Sequence, residues 1–316
     1  MTVEKLKYTS NKLNVSTRNE YGELKSVLLG SVEQFLWPDN DNEFENAIKK
    51  STFPETLPRT SLPTKVIQEA SDDLERFTAT LQSFDVDVIR PKITQSHWAY
   101  SARDILLTVG NTVIECPTPF SSRSNELDLY PMLNDADCNI IRAPRPKSKN
   151  DPIFDAANVL KLDDKLLYSL SHSANDAGAE WLQSQVGTDF EVIKWKAVEN
   201  TVTHIDSTLL SCAKNTIIVN ASRLTNDSLP NFMQGYRKIW VNDCKPRDFY
   251  VFPYASKWIG MNVLSVNPQT IIVDEIQKDL VEQLRTEKFD VIELTMRQSR
   301  TLGGGFHCVT CDLERS

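Results

Sequence analysis

The chain has 316 residues, 40% hydrophobic and 25% charged, with a formal charge of −8. That length supplies core for one large domain or two small ones, and the acidic balance, with a pI near 5.2, excludes the basic footprint of a nucleic-acid surface. Purely apolar runs reach only a handful of residues, which excludes a membrane span; the start Met-Thr-Val-Glu-Lys-Leu-Lys has no signal-peptide core, so a reducing cytoplasm with free cysteines is the expected setting.

In chain order, the pattern predicts a strand over 24–29, a surface insert over 31–62 rich in Pro, Asn and charge, a helix over 64–83 and a strand over 86–89. Four β-hairpins follow. Ile105-Leu106-Leu107-Thr108-Val109 turns at Gly110-Asn111 into 112–115, and 159–162 turns at Asp163-Asp164 into 165–168. The runs 209–212 and 263–266 return as 216–219 and 270–273 after longer turns. Leu106, Val159, Leu209 and Val263 recur at intervals of roughly 50 residues, a spacing that marks an internal repeat. Each hairpin is followed by a helix-compatible stretch, clearest at 173–186 and 275–287, and then by a short strand, at 139–141, 190–193, 249–252 and 289–294. Five ββαβ units in an α/β chain predict one domain over 1–316, a five-module propeller with pseudo-five-fold symmetry, because closure removes exposed sheet edges. The alternative is an open doubly wound sheet. No GxGxxG or P-loop follows any strand, so nucleotide binding has no support.

The C-terminal segment Gly303-Gly304-Gly305-Phe306-His307-Cys308 sets a thiol behind a glycine run, where the backbone is free to take positive φ and to expose and aim the sulfur. A flexible linker would carry Ser, Thr and charge instead. Cys308-x-x-Cys311 also has the spacing of a redox dithiol or half a zinc site, but no second pair stands at ligand spacing. Cys116, Cys138, Cys212 and Cys244 read as ordinary buried thiols. A catalytic thiolate fits the segment better, with a histidine and a carboxylate supplied from distant sequence.

Acidic residues recur just ahead of the first strand of three hairpins: Arg103-Asp104-Ile105, Phe154-Asp155-Ala156-Ala157-Asn158 and His204-Ile205-Asp206-Ser207-Thr208. Singly, each reads as a turn or cap residue. Related by rotation, they converge on one mouth with the histidine. Several carboxylates near a thiol imply a cationic ligand, and guanidinium is planar, permanently charged and gripped bidentately by carboxylates.

These residues carry a resemblance. With Leu302 to Asp312, LGGGFHCVTCD, and with Ser256-Lys257-Trp258-Ile259-Gly260-Met261-Asn262-Val263-Leu264, the chain resembles the amidinotransferase family, within the guanidine-modifying enzymes that include arginine deiminase. The match covers most of the chain, and the family fold, a five-module α/β propeller, coincides with the repeat. The resemblance implies transfer of the amidino group of L-arginine to an acceptor amine, releasing L-ornithine, with no metal or organic cofactor. It implies Cys308 as nucleophile, His204 as general acid/base, and Asp155 as the carboxylate that holds the guanidinium and orients the site. Asp206 is then a second guanidinium anchor, Asp104 lies near the donor α-amino group, Arg223 takes the donor α-carboxylate, and Ser256 contacts substrate. Ala255-Ser256 stands where glycine amidinotransferase has a serine pair, which counts against glycine as acceptor.

His307 competes for the role of base, but on an extended segment its ring would face away from the neighbouring thiol. His97 and His172 read as loop or surface residues. A hydrolase on the same scaffold, giving citrulline, and a silent arginine-binding propeller are the rival readings. Expected partners are small molecules, with neither nucleic acid nor membrane, and the resemblance allows a homodimer.

Overall fold

A computed structural model describes residues 13–38, 41, 45–46, 61–94, 98–196 and 204–316. Much of the predicted insert, the N-terminal residues 1–12 and His97 lie outside the described residues. In chain order the elements are β1 (Leu24–Leu29), α1 (Thr64–Gln82), β2 (Asp87–Ile89), β3 (Leu106–Val109), β4 (Thr112–Glu115), β5 (Asn139–Arg142), β6 (Val159–Leu162), β7 (Lys165–Ser169), α2 (Asp176–Val186) and β8 (Glu191–Trp195). After them come β9 (Leu209–Ala213), β10 (Thr216–Asn220), β11 (Arg237–Val241), β12 (Leu264–Ser265), β13 (Thr270–Asp274), α3 (Lys278–Thr286), β14 (Asp290–Leu294), α4 (Ser299–Leu302) and β15 (Thr310–Arg315).

The strands form five three-stranded sheets of one pattern: a middle strand antiparallel to an inner strand and parallel to an outer one. The first sheet departs from sequence order. Its middle strand is β1, and its inner strand is β15 from the other end of the chain, with Leu28 opposite Cys311 and Leu29 opposite Thr310. The sequence pattern gave that copy no hairpin partner, and β15 is what it lacked. Middle strands are buried almost throughout, as in LKSVLL of β1 and TIIVD of β13, whereas outer strands such as NIIR of β5 and EVIKW of β8 are half-exposed.

Five hydrophobic clusters join the sheets in succession. Leu28 and Leu313 pack with Leu106 and Val113, Leu107 and Ile114 with Val159 and Leu166, and Leu160 and Leu167 with Leu209 and Ile217. Leu210 and Ile218 then pack with Ile271 and Val273, while Leu264 and Ile272 of the fifth sheet pack with Val27 and Leu29 of the first. The inner strands also repeat one polar position, Thr108, Lys161, Ser211, Ser265 and Asp312, all buried. Lys161 Nζ reaches Thr108 Oγ1 at 3.4 Å and lies 3.7 Å from Asp312 Oδ2. Buried charges persist when they meet partners in this way.

Two expectations need correction. Helices follow the middle strands of the first, third and fifth sheets only; in the second and fourth, short 3₁₀ turns replace them. Pro117, Pro119 and Pro131 interrupt one crossover, and Pro230 among Asn, Asp and Ser the other, which removes the donors and conformations a helix needs. The outer strand of the fourth sheet is Arg237–Val241 rather than 249–252. The aromatic run 249–252 has strand propensity, but Val251 sits at φ +61° and Phe249, Tyr250 and Val251 are exposed. Among the described residues, no helix is long and apolar enough to cross a membrane.

If β15 closes the core, Leu313→Ala, at a fully buried position, should cost about 2–5 kcal/mol of unfolding free energy in urea titrations. A loss under about 1 kcal/mol would show that β15 carries little of the core.

Candidate active site

Sheets two to five each open on a 3₁₀ turn: Ala102–Asp104, Ala156–Asn158, Ile205–Ser207 and Lys257–Met261. Each turn packs against the next. Asp104, Asp155 and Asp206 stand on or beside the first three, and Asn262 follows the fourth. Cys308, two residues ahead of β15, holds the equivalent place in the first sheet. Five positions spread over the chain therefore meet in one place.

At its centre the Cys308 thiol donates to Asp206 Oδ2 at 3.1 Å. His204 lies between two carboxylates, with Nε2 3.0 Å from Asp155 Oδ2 and Nδ1 3.5 Å from Asp104 Oδ1. Thr118 Oγ1 donates to the other oxygen of Asp155 at 2.7 Å, and Arg123 Nη1 to Asp104 Oδ2 at 2.8 Å. Backbone contacts fix the carriers. The Asp155 N–H donates to Asn158 Oδ1 at 3.1 Å, the Cys308 N–H to Asn262 Oδ1 at 2.9 Å, and the Arg103 N–H to the Cys308 carbonyl at 3.2 Å.

The glycine run serves close packing. A Cβ on Gly303, at φ +82°, would stand 2.1 Å from the Tyr254 ring, and one on Gly305 would stand 2.8 Å from Asn262 Cβ. Cys308 is 2% exposed, so the expectation of an exposed thiol is corrected; Tyr100, Asn262 and Tyr254 close round the glycines ahead of it. The segment is also a turn rather than extended, with Val309 N–H donating to the Gly305 carbonyl and Thr310 N–H to that of His307. The His307 ring accordingly does not face away; its Nδ1 lies 3.1 Å from the same Asp206 Oδ2 that takes the thiol.

Burial, then the charges of Asp206 and Asp104, push the Cys308 thiol well above its usual value. Burial by itself would lower His204, but the charge of Asp104 and the hydrogen bond and charge of Asp155 outweigh it and raise the ring to about 9. Burial also lifts Asp104 against the lowering charges of His204 and Arg123. For Asp206 the balance runs the other way: burial opposes ionisation, yet His307, His204 and the thiol hydrogen bond hold it well below the usual carboxylate range. The resting site thus pairs a protonated imidazole with a protonated thiol.

Among the described residues, two other predicted residues share no hydrogen bond or ion pair with these side chains. Arg223 Nη1 donates to the Ser207 carbonyl, Ser207 Oγ and Thr208 Oγ1 at 2.8–2.9 Å; among the described residues it forms no ion pair. Ser256 is exposed, and its Oγ accepts from the Trp258 N–H at 3.3 Å, capping its own turn without a hydrogen bond to the cluster. Cys311 Sγ turns to the Leu106 carbonyl at 3.1 Å and forms no disulfide with Cys308. Cys138 is half-buried rather than buried, and His172 is exposed. Among the described residues no cluster of three His, Cys, Asp or Glu side chains has the geometry to hold a metal ion.

Sequence reasoning missed Arg123, Asn262 and Glu20. Asn262 was open to discovery, because it stands ahead of the fifth hairpin as the aspartates stand ahead of theirs. Arg123 and Glu20 lie in irregular segments with no pattern to mark them.

No protein-family model matches the chain. Inosamine-phosphate amidinotransferase 1 of Streptomyces griseus is 32% identical over 96% of this chain and 97% of its own length. The chain belongs to the amidinotransferase family. A solved structure of the inosamine-phosphate amidinotransferase of Streptomyces griseus superposes with a TM-score of 0.88 at 31% identity, over 96% of this chain and 97% of that one. The L-arginine:L-lysine amidinotransferase of Pseudomonas savastanoi pv. phaseolicola is 24% identical over 95% of this amidinotransferase and 94% of that protein. DDAH from Pseudomonas aeruginosa, solved with citrulline, shares the fold at a TM-score of 0.64 and 15% identity, over 92% and 99% of the two chains.

His204 has a folded value near 9 against 6.5 when free, so it adds stability that is complete below pH 6.5 and lost as pH rises through 9. His204→Gln should therefore cost more at pH 6 than at pH 9.5, with a difference of about 3 kcal/mol in urea unfolding. Equal cost at both pH values would contradict the raised imidazole.

Proposed function

We propose that this amidinotransferase moves the amidino group of L-arginine to an acceptor amine through a covalent intermediate on Cys308, releasing L-ornithine. The observation that carries the reading is the meeting of one buried thiol and three buried carboxylates with one half-buried imidazole. A planar cation answers that excess of negative charge, and guanidinium fits its geometry. The five sheets are read as a closed propeller with pseudo-five-fold symmetry, a single domain whose inner-strand openings form the mouth of the site.

In the first half-reaction, Asp206 and Asp155 hold the guanidinium, and its charge favours thiolate at Cys308, the thiol proton leaving to solvent as the cation binds. Sulfur bonds to the guanidinium carbon, the bond from that carbon to the side-chain Nε breaks, and His204 gives its proton to the departing ornithine amine. In the second half, an acceptor amine occupies the ornithine space, gives a proton to His204 and bonds to the same carbon, and the carbon–sulfur bond breaks to restore thiolate. Positioning of this kind supplies about 7–11 kcal/mol of barrier lowering in well-oriented systems. Arg223, half-buried and without an acidic partner among the described residues, is assigned to the donor α-carboxylate. Asp104, beside His204 and Arg123, is assigned to the donor α-amino group as the resemblance implies. Ser256, at the exposed end of its turn, is left to the acceptor side.

Cys308→Ala should abolish ornithine release from labelled arginine, and native enzyme should release one equivalent with arginine alone and turn over only with an amine present, in ping-pong kinetics. Inosamine phosphate and L-lysine, which the relatives' names carry, head the amines to screen. Ornithine release by Cys308→Ala, or citrulline from native enzyme and arginine alone, would contradict the transfer reading.

A further inference from the structure

His307 and Glu20 take no part in the reaction above, yet both are buried beside it. The His307 ring bridges two carboxylates: Nδ1 lies 3.1 Å from Asp206 Oδ2, and Nε2 lies 3.3 Å from Glu20 Oε2. Asp206 Oδ2 is also the atom that takes the Cys308 thiol, at 3.1 Å, while among the described residues no hydrogen bond engages Asp206 Oδ1. Glu20 is fixed in turn. Arg103 Nη1 donates to it at 3.0 Å and the Lys161 N–H at 3.3 Å, with Lys161 Nζ 3.9 Å away. Arg103 also donates through Nε to the His307 carbonyl at 2.8 Å and through Nη2 to Asp312 at 2.8 Å, so ring and backbone of His307 are held by one ion network.

The chemistry of the bridge is restrictive. Burial opposes ionisation of Glu20, but Lys161, Arg103 and the His307 hydrogen bond hold it below the usual carboxylate range, as the site holds Asp206. An ionised carboxylate only accepts hydrogen bonds, and a neutral imidazole has one donor and one acceptor nitrogen. A ring with a single hydrogen would aim its lone pair at one of these oxygens. Both contacts are satisfied when each ring nitrogen donates.

We propose that His307 is a positioning residue whose doubly donating ring ties Asp206 to the buried Glu20–Arg103 network and sets a positive charge beside the Cys308 thiol. Held at Oδ2, Asp206 keeps Oδ1 for the guanidinium. The ring's charge offsets part of the cost that Asp206 and Asp104 impose on the thiolate. The inference rests on Cys308 as nucleophile for its use in the reaction, but its test needs no substrate.

Peptide-resolved alkylation of Cys308 by iodoacetamide, followed against pH in the free enzyme, reads the thiol directly. His307→Gln and His307→Asn, which keep an amide donor but lose the charge, should raise the midpoint by about one unit, or about tenfold slower labelling at a fixed pH below it. A merely structural histidine would leave the midpoint in place; an unmoved or lowered midpoint in both variants overturns the proposal. Should both variants misfold, ring-nitrogen NMR of the native protein at neutral pH decides: hydrogens on both nitrogens of His307 are expected, and one bare nitrogen overturns it. Failure of these tests leaves amidino transfer standing, and ornithine release by Cys308→Ala would sink the transfer reading without moving the alkylation midpoint in the His307 variants.

Discussion

Charge removed from water has to be answered by charge or by hydrogen bonds, and this site removes several charges within one cluster. Asp104 meets Arg123 and His204, Asp155 meets Thr118 and His204, and Asp206 meets His307 and the thiol. The partners suffice to fold the site. They do not suffice to ionise Cys308, which burial and its acidic neighbours hold protonated. A substrate that brings a permanent positive charge changes that balance when it binds, so in this account recognition and activation are one electrostatic event.

The architecture serves that event by repetition. Each sheet contributes the residue at or just ahead of its inner strand: Cys308, Asp104, Asp155, Asp206 and Asn262. One backbone geometry, used five times, carries different chemistry at each position, so a thiol, three acids and an amide meet although they are scattered from one third of the chain to its end. Beneath them the inner strands repeat a buried polar side chain, and Lys161 and Asp312 there join Glu20 and Arg103 in the network under the site. The clustered side chains stand on turns closed by backbone hydrogen bonds and packed sheets, which limits how far any of them can drift.

Much of this was legible in the sequence, because hairpins with buried middle strands leave aliphatic runs and turn residues at regular intervals, and because Asp104, Asp155 and Asp206 occur at matching places in that repeat. What the repeat did not show follows from the limits of local pattern. The strand β15 pairs with β1 across almost the whole chain, a contact that no local pattern encodes. The run Phe249-Tyr250-Val251-Phe252 carries strand propensity yet pairs with no sheet, since β10 is already matched by Arg237–Val241. Glu20 and Arg123 act through charges that arrive from distant segments. An extended backbone would turn His307 from the thiol, but the glycines allow a turn that no local pattern marks.

The central claim is that the Cys308 sulfur takes an amidino group from arginine before any acceptor arrives. Rapid acid quench of native enzyme with carbon-labelled arginine alone, followed by mass analysis of the proteolysed protein, examines that step by itself. The account predicts a labelled gain of one amidino group on the peptide carrying Cys308, removed when an accepted amine is added before the quench. An unmodified Cys308 peptide under turnover, or the label on another residue, would contradict it.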